Sequence, residues 1–140
     1  MKETMELAWK VFEEKKEETL HALTQDWNLF MVHFYVLDPL QHLFWHDNEL
    51  IGKAYAKLDD TVKSIEDRIK DVEHLLLIVS DHGHKKGMHT PYGFHSCNQK
   101  LGLKNVKITD FAGIIRRCLG LPTREEELRV YKHLKSLGYA

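Results

Sequence analysis

The chain has little of what marks secreted, membrane-bound or nucleic-acid-binding proteins. Its 140 residues include only 2 cysteines. Cys97 and Cys118 are too few and too isolated for a disulfide framework, so a reducing cytoplasm is the expected setting. No apolar run is long enough to cross a bilayer, and the N-terminus is charged where a signal peptide is apolar, so no membrane partner is expected. Net charge is nearly absent: 20 Lys+Arg against 21 Asp+Glu leave −1 at pH 7. That balance offers no field for nucleic acid. Tandem repeats and low-complexity stretches are missing too. What remains is 43% hydrophobic content, suited to one globular domain over 1–140, and 10 histidines, an excess for this length.

The apolar pattern predicts an α/β chain. Met5, Trp9, Phe12, Leu20 and Leu23 recur at helical spacing and predict a first helix over about 3–24. Leu29 to Leu37 is an apolar run rich in β-formers and reads as a buried strand, with His33 as a hydrogen-bonded core residue in its middle. Asp47-Asn48 suit the cap of a long helix over about 48–72. Its stripe, from Ile51 and Ala54 through Ile65 to Ile69 and Val72, steps by three and four to cover a sheet face. Leu75 to Val79 then reads as a second strand, over about 74–79, buried on both faces. Strand, helix and strand make a right-handed βαβ unit with parallel strands. The metal-binding α/β core is expected over about 26–120. Beyond it, Val106 to Ile108 reads as a short strand. Thr109-Asp110 reads as the cap of a helix over about 110–119. Thr123 and Glu126 form a capping box for a last helix over about 124–137, with Leu128, Tyr131, Leu134 and Leu137 as its apolar positions.

Chemistry-bearing residues gather where the strands end. Asp38-Pro39 stops the first strand, because proline cannot continue a central strand but suits the first turn of a helix. In that turn Asp38 and His42, four apart, share a face. Ser80-Asp81-His82-Gly83 stops the second strand. Parallel neighbours would place both pairs at one sheet edge, where ligands of open α/β sheets sit. Carboxylate oxygen and neutral imidazole are donors suited to zinc or manganese. An isolated Asp-His pair after a strand is commonly just a turn; two such pairs at one edge are a metal-site pattern.

Asp38-x-x-x-His42, Asp81-His82-Gly83 and His89-Thr90, in this order, resemble the alkaline phosphatase superfamily, nearest its type I phosphodiesterases and nucleotide pyrophosphatases. Ile108-Thr-Asp together with Leu119-Gly-Leu-Pro122, and the ending Leu134 to Tyr139, are similar to segments of the same superfamily. The likeness runs from about residue 26 to the end. It implies a three-layer α/β/α piece with a small, mainly parallel sheet, like the C-terminal half of that fold. It also implies two divalent ions, zinc first and manganese second, beside a Thr or Ser nucleophile. Carried over, Asp38, His42 and His89 would hold one ion and Asp81 and His82 the other, with His95 as the alternative to His89. His84 is then a loop residue, and His46 and His74 are surface or capping residues.

The family pattern is incomplete in this chain. A further Asp ligand and the nucleophile belong to an N-terminal half, and Thr4, Thr19 and Thr24 lie in a charged helical stretch with no strand or Asp partner. The expectation is thus a phosphohydrolase-like domain standing without that half, slow or inactive alone on phosphodiesters or pyrophosphates. The alternative is a non-catalytic relative that binds only metal or a partner chain. A missing half also leads to an expected homo-oligomer, or to a separate chain supplying it.

Overall fold

The computed structural model of the protein describes residues 2–137. The chain forms two compact units, Met1–Gln99 and Lys100–Ala140, dividing within the stretch that the sequence pattern assigns to one core.

Helices make the core of the first unit. α1 (Lys2–Ala22) is followed by α2 (Leu37–Phe44) and α3 (Asn48–Ile69). Asp47 caps α3 as expected, its Oδ1 accepting the Leu50 N–H at 2.9 Å. Phe12, Val36, Leu40 and Ala54 form one buried cluster, and Leu23, Ile65 and Ile69 a second. Thr19 and Thr61 are also buried, but each hydroxyl donates to the carbonyl four residues back, at 2.7 and 2.8 Å. Leu40, on α2, is only 1% exposed, so the helix that carries Asp38 and His42 is anchored by a full side-chain burial worth about 2 kcal/mol.

Residues 29–35 do not form the expected strand. Among the described residues the chain there has no partner strand. Phe30 and Phe34 turn inward, and Phe34 meets Phe12 with ring centroids 5.7 Å apart. Val32, between these two inward-facing residues, is itself exposed. Leu29, Met31, His33 and Tyr35 face outward and are exposed. An apolar run rich in β-formers is satisfied by any apolar surface, and α1 and α3 supply one, so composition alone could not establish pairing. The βαβ unit is therefore overturned, and the α3 stripe packs toward α1 and α2 instead of a sheet. His33 is not a core residue; its ring lies against Tyr35, with centroids 5.8 Å apart.

The strands that do form are antiparallel. β1 (Leu77–Ser80) pairs with β4 (Phe94–Cys97), Leu77 opposite Cys97 and Ser80 opposite Phe94. Val79 is 38% exposed, as suits an antiparallel strand with incomplete cover rather than a doubly covered parallel one. β2 (Gly83–Lys85) and β3 (Met88–Thr90) form a hairpin with His84 directly opposite His89. Its two-residue turn, Lys86-Gly87, has φ of 50° and 77°. Positive φ at both central positions is the type I′ geometry whose twist matches paired strands. Lysine is unusual at the first of them, and for that reason no hairpin signal stands out there. Mixed α/β content is thus observed, while the mainly parallel, three-layer arrangement gives way to two small antiparallel pairs.

In the second unit, the short strand expected over 106–108 does not form: Val106 and Lys107 are irregular, and Ile108–Asp110 is a turn of 3₁₀ helix. It leads into α4 (Phe111–Cys118), whose buried residues are Phe111 and Ile114. Asp110 does not cap α4 through its side chain; its Oδ2 accepts the Lys107 N–H at 2.9 Å. α5 (Arg124–Ser136) opens on the expected capping box. Thr123 N–H donates to Glu126 Oε2 at 2.6 Å, and Glu126 N–H donates to Thr123 Oγ1 at 3.4 Å. Leu128, Tyr131, Leu134 and Leu137 are all exposed. Gly138-Tyr139 of the family-like ending lies outside the described residues.

Candidate metal centre

The centre is assembled from two local pieces. Pro39 sits in the first turn of α2, where its fixed φ suits the helix and its missing N–H is no loss. The turn that follows brings His42 Nε2 to 3.4 Å from Asp38 Oδ1. The β2–β3 hairpin delivers His89, whose Nε2 lies 3.0 Å from Asp38 Oδ1 and 2.9 Å from His42 Nε2. The pieces are fastened together by a hydrogen bond of 2.8 Å between His42 Nδ1 and the carbonyl oxygen of Gly87. A carbonyl only accepts, so Nδ1 carries a proton, and in the neutral ring Nε2 is the nitrogen left with a lone pair toward the cluster. Gly87 fits closely there: a Cβ at that position would sit 2.9 Å from Cδ1 of Trp45, the residue that ends α2.

Other histidines complete the surroundings. The His82 ring stacks on His89 with centroids 3.7 Å apart and 23° between planes. Its Nε2 lies 3.7 Å from Asp38 Oδ1 and 3.8 Å from Asp81 Oδ1. Asp81 itself is turned outward, its side chain 74% exposed, with Oδ1 3.8 Å from His82 Nε2. His84 is not a bystander of the loop. Asp38, His42, His84 and His89 each place a ligand atom within 4.8 Å of the others. His84 Nε2 is covered by protein and has no hydrogen-bond partner. His95 lies in β4 opposite Val79 and outside that four-residue group. His46 is a surface residue with its ring 5.7 Å from Trp45, and His74 Nδ1 bonds the Val72 carbonyl at 2.6 Å.

Tyr35 is a further neighbour, absent from the sequence reading because it lay in the presumed strand. Its hydrogen bond to Asp38, together with the charge of that carboxylate, raises the tyrosine pKa. Partial burial pushes Asp38 up, but hydrogen bonds from His89 and Tyr35 and the charges of His42 and His89 outweigh it, so the carboxyl stays below its usual value. Burial, and then the neighbouring imidazoles of His42 and His89, push His84 down. The result is an ionised carboxylate among imidazoles, a donor set that takes a divalent cation in exchange for the ring protons facing it.

The residues fit such an ion in geometry as well as chemistry. Zinc–nitrogen bonds of about 2.0–2.1 Å in a tetrahedron put neighbouring donors about 3.3–3.4 Å apart. The Asp38, His42 and His89 donors stand 2.9, 3.0 and 3.4 Å apart. Of the threonines near the N-terminus, Thr19 is buried and spends its hydroxyl inside α1, and Thr24 donates to the His21 carbonyl.

Comparison with known proteins bears on this site. The family model described as type I phosphodiesterase / nucleotide pyrophosphatase matches residues 3–137. The human protein named GPI ethanolamine phosphate transferase 2, catalytic subunit, is 25% identical over an alignment of 125 residues, and the match covers 74% of this chain. It covers 13% of that relative, so the chain spans a small part of its length. No solved structure gives a significant match.

Proposed function

The chain belongs to the type I phosphodiesterase / nucleotide pyrophosphatase family, and from that premise we propose a phosphoester-handling domain built on a divalent-cation centre. Asp38, His42 and His89 hold the cation, with zinc preferred and manganese the alternative. His82 and Asp81 stand beside them, where the family-like pattern assigns a second ion. A bound cation supplies Lewis-acid charge to a phosphoryl oxygen and to the group that attacks it. The protein's part is to fix the donors. Gly87 O sets the His42 tautomer, Tyr35 and His89 keep Asp38 ionised, and Leu40 holds α2 in place. The observation that carries this reading is the triangle of Asp38 Oδ1, His42 Nε2 and His89 Nε2, with edges of 2.9–3.4 Å.

The substrate class is a phosphodiester or pyrophosphate. The human relative's name speaks of ethanolamine phosphate transfer, so transfer to an acceptor other than water belongs within that class. A second reading, a binding domain without turnover, is favoured by one observation: the Asp81 side chain is 74% exposed and does not complete a second ion site. Elemental analysis of purified protein, paired with a generic phosphodiester assay with and without added zinc and manganese, separates these. About one equivalent of cation retained with cation-dependent hydrolysis supports the first reading. Retention without hydrolysis supports the second. Protein that keeps no divalent ion contradicts both.

A further inference from the structure

His84 stands where the family-like ligand set has no member, and the structure gives it a place at the centre. It lies in β2 directly opposite His89 in β3, and directly opposed residues of an antiparallel pair share one face. The Lys86-Gly87 turn fixes that register, with positive φ at both residues. The His84 ring meets the His42 ring edge-on at 4.7 Å. Its Nε2 is shielded from water yet unpartnered. A covered polar atom with no partner is rare in folded proteins, and a missing ion is one of the few physical explanations. The rest of the cluster is rich in acceptors: in the neutral ring His42 Nε2 is a lone pair, because the proton goes to Gly87 O, and Asp38 is a carboxylate.

We propose that His84 is a fourth protein ligand, so that the cation is closed in an Asp38–His42–His84–His89 tetrahedron instead of keeping one position open. This rests on the cation centre proposed above and adds to it. Three protein ligands leave a place for water or substrate, whereas four protein ligands close it. The four donors lie within 4.8 Å of one another, wider than the tetrahedral edge of about 3.3–3.4 Å, so His84 moves inward when the ion binds. His84 therefore governs access to the ion.

Cobalt(II) replaces zinc and reports its own coordination number by visible absorption, and azide and inorganic phosphate serve as entering ligands. The full chain loaded with cobalt is expected to show the intense bands of a four-coordinate ion, unchanged by either anion. His84→Ala is expected to show weaker, five-coordinate-type bands that shift with azide and phosphate, and zinc affinity reduced at least about tenfold. His84→Gln, which keeps a polar side chain, should match His84→Ala, and His33→Ala should match the parent. Anion-sensitive bands in the parent, or a His84→Ala spectrum identical to it, overturn the inference and leave the three-ligand centre standing. A parent protein that takes up neither cobalt nor zinc overturns both.

Discussion

Replacing His42 by alanine removes one corner of the cluster but little buried surface, since its side chain is 38% exposed. The fold loses the bond to the Gly87 carbonyl, worth about 1 kcal/mol. Calorimetric titration should thus show zinc binding lost in His42→Ala, with circular dichroism unchanged; retained affinity would sink the assignment. His33→Ala should change stability by no more than about 0.5 kcal/mol in urea denaturation, because His33 is an exposed residue and not a core one. At this scale the sequence was readable where ligands are local. Asp38 and His42 converge by helical arithmetic alone, four positions on one turn. His89 was placed beside them by its motif context. His84, read as a loop residue, joins the group because its direction depends on a strand register, and a shift of one residue would turn it to the opposite face. Asp81 shows the converse: a motif residue whose neighbours are right and whose side chain points to solvent.

Elements were legible in proportion to how far local pattern determines them. α1, α3 and α5 lie near their expected limits because amphipathic stripes and caps are written in consecutive residues. The run 29–37 was not, since an apolar run rich in β-formers says what is to be covered without saying what does the covering. The capping box of α5 yields a test by acid. Donation from the Thr123 backbone N–H, then from its hydroxyl, holds the Glu126 carboxyl below its ordinary value of 4.5. The unfolded chain therefore takes up this proton first as pH falls. The contribution is complete above about 4.5 and is lost as pH drops through the lower folded value. Cα chemical shifts of residues 124–127 should lose helical character over that range before those of α3 do; simultaneous loss would contradict a local capping effect. α2 depends on burial instead. Leu40→Ala should cost about 2–5 kcal/mol in urea denaturation, as for a fully enclosed leucine, and a cost below about 1 kcal/mol would mean that α2 is not anchored as described.

For the molecule as a whole, helix and strand content and family were accessible from sequence, while strand direction was not. Direction depends on which distant segments meet, and no consecutive pattern encodes that. The outward residues Leu29, Met31 and Tyr35 leave an apolar edge on an extended stretch without a partner strand among the described residues. Exposed apolar edges favour association. Light scattering at micromolar concentration should accordingly give a mass above the monomer's 16.5 kDa, and a monomer mass would refute this. The junction of α2 with the hairpin has one more consequence, best put in the language of polymer cross-links. His42 and His89 stand 47 positions apart in the chain. An ion shared between them staples a loop of that length, and in a chain-entropy treatment such a staple removes freedom from the denatured ensemble worth about 4 kcal/mol. A disulfide would do the same but would open only to a thiol or other reductant. With the proposed cation bound there, a chelator would open the staple, and melting temperature would read out free cation concentration.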